Sequence, residues 1–75
     1  MGKQTPEINI KLKQLLKEKN VTQKELAEKT GLREATISEI ANNARTTINK
    51  EQIIAIMKAL GVKELDKIIE LNWHE

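Results

Sequence analysis

The stretch TQKELAEKTGLREATISEIANN, residues 22–43, decides how this chain folds. Thr22 and Glu25 stand at the T-x-x-E spacing of a capping box, in which each side chain accepts from the other residue's backbone N–H. Val21, just before the cap, is placed to staple onto Leu26. The pattern predicts a helix over about 23–30 with Leu26 and Ala27 inward. Gly31 ends it, because glycine takes a positive φ without steric cost. Leu32 is an apolar residue in the turn and is expected to plug into the core. A second helix follows over about 34–42, with Ile37, Ile40 and Ala41 as its buried stripe. At about 100° per residue, Ala35, Glu39 and Asn42 lie opposite that stripe and Ser38 on its flank. Ala27, Gly31 and Ile37 thus supply close approach, sharp turn and re-anchoring for two helices joined at an angle. An ordinary αα-hairpin in a bundle has the same spacing.

Working outward, Ile8, Leu12, Leu15 and Leu16 recur at helical intervals. With Thr5 as N-cap and Pro6 in the first turn, they predict a helix over about 6–19. Lys11, Lys13 and Lys17 fall mostly off its apolar stripe. Asn20 is a fit terminator, since asparagine accepts the left-handed conformation. Residues 1–6 read as a disordered lead. On the other side, 43–48 form a loop. Asn49 and Gln52 then resemble a second capping box, with Ile48 and Ile53 as its staple. The helix over about 50–60 is expected to bury Ile53, Ile54, Ile56, Met57 and Leu60 at the centre of the core, and Gly61 ends it. Leu65, Ile68, Ile69 and Leu71 predict a fifth helix over about 64–71, with 72–75 as a tail. No strand is required. The expected architecture is one all-α domain over 1–75, five helices with short connections.

Composition narrows the function. There is no cysteine, one histidine and one tryptophan, which removes disulfide frameworks and thiolate or histidine-rich metal centres. Ser38 and His74 lie far apart in the chain, and the carboxylates fall on solvated helix faces rather than in an apolar pocket that would tune them. An enzyme is not expected, nor any cofactor, metal or small-molecule ligand. No apolar run approaches a bilayer span and no signal-peptide core is present, so the expected location is the cytoplasm. Net charge is +2, unevenly spread. Residues 1–33 carry eight basic and four acidic side chains, and residues 34–75 five basic and seven acidic. Such a dipole suits an anionic partner approached from the N-terminal half.

At this point the chain resembles a known family. TQKELAEKTGLREATISEI, with LKEKN before it and KALGV after it, is similar to the Cro/cI-type helix-turn-helix domains, also called XRE or lambda-repressor-like, over about 8–71. The resemblance implies five short helices and sequence-specific binding of double-stranded DNA, usually to regulate transcription. It places Gln23 where a side chain and a backbone N–H meet a phosphate. It places Arg33, Glu34 and Ala35 at the start of the recognition helix, with Thr36 beside them for a phosphate or thymine methyl. Ser38 flanks that surface, Glu39 faces the groove one turn on, Asn42 anchors to the DNA backbone, and Arg45 lies near phosphate or minor groove. Lys11, Lys13, Lys17 and Lys24 would add phosphate contacts. A homodimer on a two-fold operator is expected, formed through the C-terminal region, where Leu65, Ile69, Leu71 and Trp73 are more apolar than a chain end needs.

Five positions depart from the family pattern. Arg33 stands where the recognition helix commonly has a small hydroxyl cap, Glu34 and Glu39 put negative charge on a surface meant for phosphates, Asn43 replaces a glycine after that helix, and Ile48 replaces a proline. Glutamate in the groove can accept from cytosine N4. Asparagine is the best substitute for glycine at positive φ. The acidic recognition helix and modest net charge fit a second reading, a protein-interaction module on the same fold such as an antitoxin or adaptor.

Overall fold

The computed structural model describes residues 6–44 and 47–73. The sequence Pro6–Ile10 forms a strand, β1, followed by four α-helices: α1 Leu12–Lys19, α2 Gln23–Thr30, α3 Glu34–Ala41 and α4 Lys50–Leu60. A single 3-10 turn, Leu65–Lys67, leads into a second strand, β2, Ile69–Trp73. The strands pair antiparallel, Ile8 opposite Leu71 and Ile10 opposite Ile69.

The domain is therefore mostly helical with a two-stranded ribbon, and the expectation of five helices and no strand is corrected. The first helix begins at Leu12 rather than near residue 6, and the predicted fifth helix is the 3-10 turn plus β2. The physical reason is periodicity. Ile8 and Ile10 alternate with Glu7 and Asn9, and Ile69, Leu71 and Trp73 alternate with Glu70 and Asn72. Over five residues, apolar positions fit either a helix or a strand, and pairing between the two segments decides for the strand. Asn72 and Trp73 are strand, not tail. The N-cap expected at Thr5, the lead before it, Arg45 and the last two residues lie outside the described residues.

The helix ends follow local chemistry. Asn20 closes α1 at φ 59°, in the left-handed region. Gly61 does the same for α4 at φ 69°. Asn49 Oδ1 accepts from the Gln52 N–H at 3.1 Å and caps α4. α2 packs on α3 and on α4, and α1 on α3. Leu12, Leu26, Ile37 and Ile56, one from each helix, are fully buried, and Ile68 joins them from the end of the 3-10 turn. Each contributes about 1.5–3 kcal/mol by burial. Ile54, expected in the core, is instead 53% exposed on α4, because Ile53 and Ile56 already occupy the inward face. Leu65 is likewise exposed.

Candidate nucleic-acid interface

Thr30 ties the end of α2 to the turn that leads into α3. Its hydroxyl donates to the Leu26 carbonyl at 2.8 Å and accepts from the Leu32 N–H at 3.2 Å. Gly31 adds a bond from its N–H to the Ala27 carbonyl at 2.8 Å, with φ at 77°. A Cβ on Gly31 would meet nothing within 4 Å, so this glycine is needed for its torsion alone. Leu32 then packs against the core as expected. Helical periodicity alone passes over Thr30; a threonine in the last helical turn before a glycine is the signal that marks it.

α3 is held by Ile37, Ile40 and Ala41, all buried. The opposite side presents Ala35, Glu39 and Asn42, all exposed, and Arg33 and Glu34 are exposed at the N-terminal end. Thr36 and Ser38 are half-buried on the flanks. Asn42 Nδ2 donates to Ser38 Oγ at 3.3 Å, which joins two of the expected contact residues across one turn. Glu39 also lines a small pocket with Ile8, Ile10, Ile40, Asn43, Ile48 and Ile53, between α3, α4 and β1. Arg33 occupies the N-cap with φ −76° and ψ 149° and makes no side-chain capping bond. The first turn of α3 therefore keeps its N–H groups uncapped, with the Glu34 carboxylate as partial compensation.

The start of α2 is built differently. Glu25 N donates to Thr22 Oγ1 at 3.0 Å, and Thr22 N donates to Glu25 Oε1 at 2.9 Å, so the capping box is complete. The Thr22 amide holds the Glu25 carboxyl below its ordinary range, the Thr22 hydroxyl and Lys29 acting in the same direction. Engaged backwards in this way, Glu25 leaves the first N–H groups of α2, at Gln23 and Lys24, for an anion. Gln23 is half-buried there and Lys24 exposed.

The expected phosphate contacts divide. Lys13 and Lys17, one turn apart on α1, are exposed. Lys11 is half-buried, and its backbone N–H donates to the Ile68 carbonyl at 2.6 Å. The structure thus brings Arg33, Glu34, Ala35, Glu39 and Asn42 onto one outward surface of mixed charge, with the exposed lysines on other helices.

Among the described residues no cluster of His, Cys, Asp or Glu could hold a metal ion, and no helix is long and apolar enough to cross a membrane. A family model described as helix-turn-helix matches residues 12–67. Neither a curated protein nor a solved structure matches the chain.

Proposed function

The chain belongs to the Cro/cI-type helix-turn-helix family, and on that premise we propose that it is a sequence-specific regulator of transcription, a repressor, that reads the major groove of double-stranded DNA with α3. The observation that carries this reading is the outward surface of α3. Ala35, Glu39 and Asn42 are exposed, and the helix begins at an arginine that does nothing for its own cap. A good N-cap is worth about 0.5–2 kcal/mol. Placing a long cation there instead serves recognition, with Arg33 donating to a guanine edge or a phosphate. Gln23, Thr36, Ser38 and Asn42 position the domain on the phosphate backbone, as does Arg45 in the following loop, and Glu34 and Glu39 reject bases or accept from cytosine.

Grip and choice are separated in this reading. Lys13, Lys17 and Lys24 supply the salt-dependent attraction with Lys11 beside them, and α3 supplies selectivity. Two copies on a two-fold operator give enough base contacts for a specific site.

Fluorescence anisotropy with labelled duplexes, at salt stepped upward from about 50 mM, tests the attraction. Steep weakening with salt is expected. Binding without salt dependence, or none at all, leaves the protein-interaction module as the reading. Selection from a random duplex pool should return a short site with two-fold symmetry.

A further inference from the structure

The two ends of α3 are located by different means. At the N-terminal end the turn is tied back to α2, the Gly31 N–H to the Ala27 carbonyl and the Leu32 N–H to the Thr30 hydroxyl. At the C-terminal end the last turn satisfies its own carbonyls. The Asn42, Asn43 and Ala44 N–H groups donate to the Ser38, Ile40 and Glu39 carbonyls at 2.9, 3.2 and 3.0 Å. Those bonds hold the turn together and tie it to nothing outside itself.

The outside tie is the Asn43 carboxamide, which accepts from the Ile10 N–H and donates to the Ile10 carbonyl. Ile10 is paired with Ile69, so these bonds run from the end of α3 into the ribbon. Apolar packing between β1 and this end of α3 is incomplete. A cavity of about 80 Å³ lies there, lined by Ile8, Ile10, Glu39, Ile40, Asn43 and Ile48 among others, with room for more than one water. Atoms that face such a gap lose the dispersion contacts that would fix their spacing. The two hydrogen bonds take up the freedom that packing leaves.

What stands beside the tie gives it a use. Asn42 adjoins Asn43 and Glu39 is one turn back, both exposed. A hydrogen bond to a base edge tolerates displacements of roughly a few tenths of an ångström. Attraction between lysines and phosphates reaches about 10 Å at moderate salt and is far less exacting. We propose that Asn43 is a positioning residue for recognition: by binding both backbone groups of Ile10 it fixes the C-terminal end of α3 against the ribbon, and so adds selectivity for a specific site without itself touching DNA. This deepens the DNA-binding reading and rests on it.

Backbone torsion and the tie rank residues at this position in opposite orders. φ is 55°, which glycine adopts freely, so a purely torsional role puts glycine above asparagine. The tie puts asparagine first, aspartate second and glycine last. A carboxylate still accepts from the Ile10 N–H but has no donor for the Ile10 carbonyl.

Asn43→Asp and Asn43→Gly in the full chain test the proposal. A site is first selected from a random duplex pool with the parent protein. Anisotropy then compares that site with a random duplex, at fixed salt and at a temperature where circular dichroism shows each protein fully folded. The preference for the site should fall about two- to thirtyfold in Asn43→Gly, through faster dissociation, with random-duplex binding level. In Asn43→Asp the added charge weakens both duplexes alike, and the preference should fall by less. By reciprocity the selected site, and not the random duplex, should slow exchange of the Ile10 amide in the parent protein. Should Asn43→Gly prove unfolded, Asn43→Asp decides the question. A preference equal in all three proteins, or higher with glycine, overturns the proposal and leaves α3 as the reader. So does an Ile10 amide indifferent to the site, or an equal loss on both duplexes in Asn43→Gly. A parent protein that selects no site overturns the DNA-binding reading and the role of Asn43 with it.

Discussion

The side chain of Asn43 closes on the backbone of Ile10 in both directions. Ile10 N donates to Asn43 Oδ1 at 2.6 Å, and Asn43 Nδ2 donates to the Ile10 carbonyl at 3.1 Å. A carboxamide thus stands in for one residue of a third strand. The same residue holds φ at 55° just after α3. It therefore turns the chain out of α3 and ties that turn to β1. Glycine would meet the torsion but could not make the tie.

Two substitutions separate those roles. Asn43→Gly keeps the torsion and loses two hydrogen bonds, and should cost about 1–3 kcal/mol in urea unfolding. Asn43→Ala loses the bonds and also strains the left-handed backbone by about 1 kcal/mol more. The Ile10 amide should exchange faster in both variants.

Arg33 should show stability and recognition in opposition. Arg33→Ser supplies the missing cap and is expected to raise stability by about 0.5–1 kcal/mol, measured by thermal unfolding, while binding to the selected DNA site falls. Arg33→Ala and Glu39→Ala should each change preference at single base pairs by about 1–3 kcal/mol. Lys17→Ala should weaken all duplexes alike. An unchanged preferred sequence in both alanine variants would show that α3 is not the reader.

Glu25 makes the capping box sensitive to acid. Its folded pKa lies below the unfolded value, the Thr22 amide being the main cause. The stabilisation is therefore present above the ordinary carboxylate pKa and is lost as pH falls through the folded value. Glu25→Gln keeps an acceptor but no charge. Its urea midpoint should decline less steeply with acid than that of the parent protein, and the two should differ most near neutrality.

Burial separates the isoleucines of α3 and α4. Ile37 has no exposed surface, whereas Ile54 is 53% exposed. Ile37→Ala should cost about 2–5 kcal/mol, and Ile54→Ala less than about 0.5 kcal/mol, both by chemical denaturation.

These contrasts also show which parts of the fold can be read from the sequence. α2, α3 and α4 can be, because their signals are local: Thr22 with Glu25, Gly31 as stop, Asn49 before α4 and Gly61 after it all act within a few residues. The outward surface of α3 follows from the same periodicity, so Ala35, Glu39 and Asn42 are legible as exposed. The ribbon is not. Ile8 fits the stripe of Leu12, Leu15 and Leu16 as well as it fits a strand, and what decides is pairing with Leu71, far along the chain. Asn43 is legible as a residue at positive φ, but its bonds to Ile10 depend on where β1 lies. The Thr30 hydroxyl is a local signal too, since a threonine just before the stop glycine is legible in the sequence.

The ribbon also gives the domain an order of assembly. Each of the four helices is closed by hydrogen bonds between residues four apart, a class of structure that forms quickly. β1 and β2 are roughly sixty residues apart and must close nearly the whole chain into a loop. During synthesis β1 emerges before the helices and β2 after them. The helices are then already in place to receive it, and the ribbon comes into being only when the loop closes.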